Sequence, residues 1–446
     1  MGAASRWWLR RSLQALDEDL RQRGSRLIIA KGHAPVVLAH ISRKYDAKTV
    51  FYSRTFEPAD EEIDAEVHEH LENQHIGAVV TNATLLSIPN KLKTKTNSPY
   101  RVFTPFARAL VDSGVANVDK LPANSHRAWA APHTWPETLS IKDLPLESRT
   151  PSGNDWARGF DVFTPGETGA GRALNHFIAH GLRTYADGRD RSDQDGVSRL
   201  SAHLRFGEIS PQRVLHDIEA AAQHDHHLRE GAAKFRTELL WREFCYGLLA
   251  QQPRLHTVNL RNDFDDFPWL DDDDGFRAWT RGETGYPMVD AGMRQLWQTG
   301  WMHNRVRMVV ASFLVKHLLI DWRRGEQWFW DCLVDADPAN NPANWQWVAG
   351  CGADAAPYFR IFNPTSQAER FDPDGLYRTQ FIPGYRLPVK SRRNPLPDLF
   401  SEAGKEAANA TYPDPIVDHE HARRRALAAF QSMRATAKDH DHDDTD

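Results

Sequence analysis

The apolar residues of this chain change their period part-way along, and that change calls for two kinds of architecture in one polypeptide. Up to about residue 80, short apolar runs alternate with amphipathic stretches. Trp8, Leu9, Leu13, Leu16 and Leu20 recur at helical spacing within residues 7–22, and Gly24 follows as a stop signal. Leu27-Ile-Ile-Ala30 is a short apolar run bounded by Gly32. The pattern then predicts a helix over 35–44, a strand over 49–52, a helix with acids in its first turn over 60–73, and a strand over 77–80. Such alternation implies a doubly wound parallel α/β sheet with helices on its faces. The chain opens on a helix where such a domain normally opens on a strand. No Gly-rich phosphate loop follows any of the strands.

From about Ala131 to Pro165 the periodicity disappears, and Pro132, Pro136, Pro145, Pro151, Gly153 and Pro165 punctuate the stretch. It reads as a connection wrapping the surface. Beyond Gly166 the pattern is helical as far as about Arg434, with long apolar faces over 230–251 and 304–319. Residues 439–446 are only Asp, His and Thr, so a disordered tail is expected, with histidine–metal binding the weaker alternative. The expected division is an α/β domain over 1–130, a linker over 131–165, an all-α domain over 166–434 and a tail over 435–446.

A net charge of -5 gives no global attraction to nucleic acid, so a DNA-binding function would need a local basic patch. Cys245, Cys332 and Cys351 are far apart and form no CxxC pair, which suits a reducing compartment without disulfides or a zinc site. No run reaches membrane-span length, and the start, Met-Gly-Ala-Ala-Ser-Arg-Trp-Trp, lacks the apolar core of a signal peptide; a cytoplasmic protein is expected.

The chemistry concentrates in Trp301-Met-His-Asn-Arg-Val-Arg-Met308, Asn344-Trp-Gln-Trp347 and 355–364. These place aromatic rings, arginines and amides together with no hydrolytic triad and no metal-ligand cluster, so the site needs a cofactor. Gly196-Val-Ser-Arg-Leu-Ser201 offers small hydroxyls at a helix start, suited either to a phosphate or to a simple N-cap by Ser198 or Ser201. Asp335 and Asp337 could accept from the imide and ribose of a flavin, cap a helix, or pair with Arg307. Glu238 and Trp241 lie three apart on one helical face, which suits a planar heterocycle with polar edges, or simply a half-buried amphipathic helix.

Taken in order, these segments resemble the DNA photolyase/cryptochrome family of flavoproteins, most closely its bacterial class I cyclobutane-pyrimidine-dimer photolyases. The resemblance runs from about residue 25 to 430 and is densest over 185–211, 238–244, 285–324 and 335–364. It implies FAD held in a U shape in the helical domain. Tyr185, Val197, Ser198, Arg199, Leu200 and Ser201 would hold its phosphates, Val197 replacing a common Thr. Asp335, Ala336 and Asp337 would bind the flavin edge and ribose, with Arg307 paired to Asp335 and Asn341 facing the reactive ring nitrogen. Trp345, Trp322 and Trp269 match the family's electron relay.

The partner implied is UV-damaged DNA, bound by a monomer. Glu238, Trp241, Asn304, Arg305, Met308 and Trp347 would form the lesion pocket, and Arg189 and Arg305 would grip flanking phosphates. Base flipping, for which photolyases are among the standard examples, is the physical requirement; Trp241 and Trp347 would stack on the flipped rings. The family's usual first strand has no counterpart before the first helix, which should leave apolar sheet edges exposed. Folate-using relatives carry an acid just before the segment matching Tyr100 to Phe106, where this chain has Ser98 and Pro99. A deazaflavin antenna, or none, is expected at least as readily as folate. The alternatives are a cryptochrome photoreceptor, against which Asn341 and the short tail argue, a (6-4) photolyase, for which His303-Asn304 supplies one His of an expected pair, and a non-catalytic DNA-binding module, which needs no relay.

Overall fold

In the computed structural model, residues 1–114, 131–147, 156–354, 359–387 and 412–443 are described. β1 (Thr49–Ser53) and β2 (Gly77–Thr81) lie parallel, with Thr49 opposite Gly77 and Ser53 opposite Thr81. β-branched and aromatic residues favour the extended backbone here. Alternation along the strands sends Val50, Tyr52 and Ala78 onto a small core of Ala39, Val67, Leu71 and Ile76. That core is supplied mainly by α2 (Ala34–Lys44) and α3 (Pro58–Asn73). Among the described residues nothing covers the opposite face: Phe51 is 70% and Val79 40% exposed.

The doubly wound sheet is thus reduced to two strands among the described residues. The expected strand at Leu27–Ala30 is not one, since residues 25–31 have no regular structure. Backbone groups must be paired somewhere, and those of Ile29 go to a loop instead. Its N–H donates to Thr138 Oγ1 at 2.8 Å and its carbonyl accepts from Leu139 N at 2.9 Å.

The first helix, α1 (Ala3–Gln22), packs away from the sheet, against later parts of the chain. Its Trp8 is fully buried and donates from Nε1 to Glu208 Oε1 at 3.0 Å; Ser5 Oγ reaches Leu333 O at 3.2 Å. One part of the expected linker is buried as well. Residues Trp156–Val162 form a 3-10 turn whose Ala157 and Phe160 are buried against Trp7 and Trp8. A stretch rich in Pro and Gly concealed the apolar side chains that anchor it.

The helical body comprises α5 (Glu167–His176), α6 (Tyr185–Gly188), α7 (Ser201–Arg205), α8 (Pro211–His224), α9 (Arg229–Gln251), α10 (Asp273–Arg281), α11 (Pro287–Thr299), α12 (Asn304–Ser312), α13 (Trp322–Cys332), α14 (Asn340–Ala349), α15 (Pro364–Phe371), α16 (Leu376–Phe381) and α17 (His419–Asp443). The single helix expected over 304–319 ends at Ser312 and passes into a π turn, Phe313–His317. α17 continues through the tail expected to be disordered as far as Asp443; adding a residue to an existing helix costs far less than nucleating one. Residues 444–446 lie outside the described residues. Among the described residues no helix is long and apolar enough to cross a membrane.

The strand-bearing part docks on the helical body through α4 (Phe103–Asp112) and the 82–92 loop. Glu243 on α9 accepts from Leu86 N and Ser87 N at 3.0 and 3.1 Å, while Arg242 donates to Thr84 O and Leu204 O. Burial pushes the Glu243 carboxyl up to about 7, against these two amides, which favour its charged form.

Candidate functional site

The turn between α13 and α14 brings acids and basic groups together. Arg307 donates from Nη2 to Asp335 Oδ2 at 2.9 Å, and from Nε to Met302 O at 2.7 Å. Ser201 Oγ donates to the same Asp335 oxygen at 2.5 Å. The other oxygen, Oδ1, is buried with no donor among the described residues. An unmatched carboxylate oxygen there calls for an N–H or O–H from something bound.

Asp337 has its oxygens on protein donors. Its Oδ1 accepts from Ala339 N, Asn340 N and Asn340 Nδ2, and its Oδ2 from Tyr246 OH at 2.9 Å. The helix-capping alternative is what the structure contains, because the first amides of α14 have no intrahelical acceptor. Ala336 is buried, and its carbonyl accepts from Arg205 Nε at 3.1 Å.

Ser201 heads α7, which is only five residues long, so the helix-start argument for a phosphate is weak. Ser198 Oγ accepts from Leu200 N at 3.4 Å; Leu200 is buried and Val197 half-buried in the core. Arg199 has φ +54 and lies 5.4 Å over the Trp301 ring, on which Arg307 also sits at 5.9 Å. A left-handed non-glycine costs about 1–3 kcal/mol and persists only where its surroundings fix it. Tyr185 is buried among Phe177 and Phe235 with Arg189 5.9 Å over its ring, and burial keeps its phenol protonated.

Asn341 is buried on α14 and donates from Nδ2 to Glu326 Oε1 at 2.9 Å and Glu326 O at 3.1 Å. That fixes the amide and turns Oδ1 away from Glu326, toward any donor on the opposite side. Burial pushes the Glu326 carboxyl up to about 7. Nothing in the sequence marked Glu326, since only the packing of α13 on α14 reveals its partner.

On α9, Glu238 and Trp241 share a face as their spacing requires. Glu238 is held by Arg189 at 2.7 Å and Lys234 at 3.2 Å. Arg305 pairs with Asp190 and lies 4.5 Å over Phe371. Both arginines expected on phosphates are therefore taken up by carboxylates in partly buried surroundings, where an unpaired cation is costly. Asn304 is exposed at the start of α12 and Met308 is half-buried one turn on. His303 beside them is buried, accepts from Arg305 N at 3.2 Å and leaves Nε2 unpartnered among the described residues; burial lowers it to about 4, so it stays neutral.

Trp241 is half-buried and stacks on Phe103 at 3.5 Å with a 6° interplanar angle. Trp347, half-buried on α14, donates from Nε1 to Asp354 O at 3.2 Å. Trp345 and Trp322 are buried in one apolar cluster, with Trp269 packed half-buried against it. Trp322 Nε1 donates to Asn259 Oδ1 at 2.9 Å. A Cβ on Gly325 would overlap the Trp345 ring, so only glycine fits beneath it. Among the described residues one group of metal-type ligands does come together, Asp225, His226 and His227 at the α8–α9 turn, but the Asp225 oxygens already serve His227 N and Arg183.

These features fit a flavin's polar edge: an unmatched carboxylate oxygen, a neighbouring guanidinium and hydroxyl, and an oriented amide. The comparisons agree. A model described as the FAD binding domain of DNA photolyase matches residues 235–432, and one described as DNA photolyase matches 1–124. The chain is 47% identical, over 98% of its length and 90% of its relative's, to the deoxyribodipyrimidine photo-lyase of Agrobacterium fabrum. Its fold matches a bacterial class III photolyase from Agrobacterium tumefaciens with a TM-score of 0.86 at 45% identity, covering 97% of this chain and 89% of that one. It matches the cryptochrome of Synechocystis sp. PCC6803 with a TM-score of 0.79 at 28% identity, covering 96% and 89%. The chain belongs to the DNA photolyase/cryptochrome family.

Proposed function

We propose that this protein is a deoxyribodipyrimidine photo-lyase, splitting cyclobutane pyrimidine dimers in UV-damaged DNA under light. The observation that carries the reading is the buried, donor-less Oδ1 of Asp335 beside Arg307 and Ser201, within the part of the chain matched as FAD-binding. When bound, reduced FAD supplies a photoexcited electron. The protein supplies position and charge. Asp335, held by Arg307 and Ser201, would accept from the flavin edge, and Asn341 would present Oδ1 to the ring nitrogen. Tyr185 and residues 197–201 line the phosphate side, with Ala336 and Asp337 shaping the floor. Glu238 offers carboxylate oxygens to a thymine edge, Trp241 and Trp347 provide apolar walls, and Asn304, Met308 and Arg305 border the opening. Trp269, Trp322 and Trp345 are neutral, easily oxidised rings leading inward from a half-exposed to a buried position.

The likeness at 45% identity to a protein described as class III favours that class over the class I first expected. A cytoplasmic monomer, with a deazaflavin or folate antenna as an accessory, completes the reading. The test is to illuminate the purified, flavin-loaded protein with DNA carrying one defined thymine dimer and to measure restored thymines against a dark control. Restored thymines in the lit sample only are expected. Light-driven flavin reduction without restored thymines would favour the cryptochrome reading, which the Synechocystis likeness also supports.

A further inference from the structure

We propose that Phe103 and Asp354 form a bracket that sets the spacing of Trp241 and Trp347, so that α4, outside the helical body, positions the walls of the lesion pocket. The proposal rests on the assignment of those two tryptophans to the lesion.

The bracket is continuous. Trp241, on α9, lies nearly parallel to Phe103, stacked on it at 3.5 Å, and Phe244 meets both rings edge-on at 5.8 and 5.9 Å. Phe106 packs on Phe244 at 5.5 Å. A cofacial pair is not the arrangement that ring quadrupoles prefer. The flanking rings therefore hold it, and Phe103 fixes the plane of the indole. One face of Trp241 is covered by Phe103, and the other is the face left for a base.

Phe103 is also the first residue of α4, whose N-cap position, Val102, has no capping side chain. Its free N–H donates to Asp354 Oδ2 at 3.4 Å, a placement that the helix start favours for a carboxylate. The carbonyl of the same Asp354 accepts the Trp347 indole N–H. Asp354 achieves both contacts in a left-handed backbone, φ +52, which a short polar side chain tolerates better than most. The two indoles, on α9 and α14, are thus both referenced to one residue of α4. A pyrimidine pair must enter a slot whose width this bracket determines, and a loosened slot loses stacking on the flipped bases while leaving contacts to undamaged backbone alone.

The test uses the flavin-loaded protein in the dark, with a duplex carrying one thymine dimer and the same duplex undamaged. Phe103→Leu fills the space but removes the ring. We expect the ratio of the two affinities to fall about tenfold, the size of one weakened base–aromatic stack, with flavin content and undamaged-DNA affinity unchanged. Phe103→Tyr should restore the ratio, and Asp354→Ala should lower it in the same sense. If Trp241→Ala lowers the ratio but Phe103→Leu and Asp354→Ala do not, the bracket is wrong and the lesion pocket stands. If Trp241→Ala changes nothing, the pocket assignment itself fails. Equal loss toward both duplexes, or loss of flavin, in Phe103→Leu would make Phe103 merely structural and overturn the proposal.

Discussion

Arg189 and Glu238 meet through two contacts, Nη1 to Oε1 at 2.7 Å and Nη2 to Oε2 at 2.9 Å, in the bidentate geometry that gives guanidinium–carboxylate pairs their strength. Each is largely shielded from water, so removing one leaves the other partly buried and unpaired. The pair places the anion proposed for the thymine edge against the cation proposed for a phosphate.

Glu238→Ala is expected to lower the yield of repaired thymines per absorbed photon while leaving the flavin bound, because Glu238 takes no part in the Asp335 network. Arg189→Ala is expected to weaken DNA binding and to reduce the slope of log affinity against log salt by about 0.9, the value for one phosphate contact. An unchanged slope would restrict Arg189 to orienting Glu238. Loss of the flavin's yellow colour in Glu238→Ala would assign Glu238 to the cofactor instead.

Trp345 offers a second separation of roles. In Trp345→Phe, photoreduction of oxidised flavin should slow sharply, while repair by protein supplied with already reduced flavin should persist. Gly325→Ala acts on the same ring from beneath, since its Cβ would overlap the indole. It should cost about 1–3 kcal/mol of stability, as overpacking does, and slow photoreduction as well. Photoreduction at the original rate in both variants would remove Trp345 from the relay.

The parts of this molecule that could be read from sequence are those that local patterns determine. The helices over 34–44 and 229–251, the two strands and the shared face of Glu238 and Trp241 follow from periodicity. The Arg307–Asp335 pair was open from sequence alone and emerged only with the family resemblance. What escaped depends on contacts far apart in the chain. Leu27–Ala30 looks like a strand but has no ladder to join. Phe160 hides in a Pro-rich stretch whose period says nothing. Glu326, Phe103 and Asp354 acquire their roles only because α13, α4 and the turn after α14 pack where they do. For Asp337 the sequence leaves binding and capping both open, and it cannot show that amides already occupy one of its oxygens.

Glu326 should leave a mark on stability against pH. Its carboxyl stands at about 7 in the fold because burial penalises the charged form, against an ordinary value of 4.5. Between those limits the folded protein keeps a proton that the unfolded chain has released. Its contribution to stability is therefore complete below about 4.5 and fades as pH rises through about 7. Glu326→Gln cannot titrate and can still accept from Asn341. The melting temperature of the variant minus that of the parent should increase as pH is raised across that window. A difference that stays flat would show that Glu326 is ionised throughout.

The sheet makes the sharpest contrast in local stability. A two-stranded sheet is marginal by itself, and here, among the described residues, Phe51 and Val79 present an uncovered apolar face while α2 and α3 cover the other. The helical body, by contrast, buries Trp279, Trp322, Phe313 and Tyr377 in one continuous cluster. Amide hydrogens of Thr49–Ser53 and Gly77–Thr81 should therefore exchange through local opening well before those of α9 and α11. Bound flavin stabilises whatever unfolds together with its site, so adding it should slow exchange in α12 and α14 and leave β1 and β2 nearly unchanged. Equal protection of strands and helices, or an equal response of both to flavin, would mean that the two parts unfold as one unit.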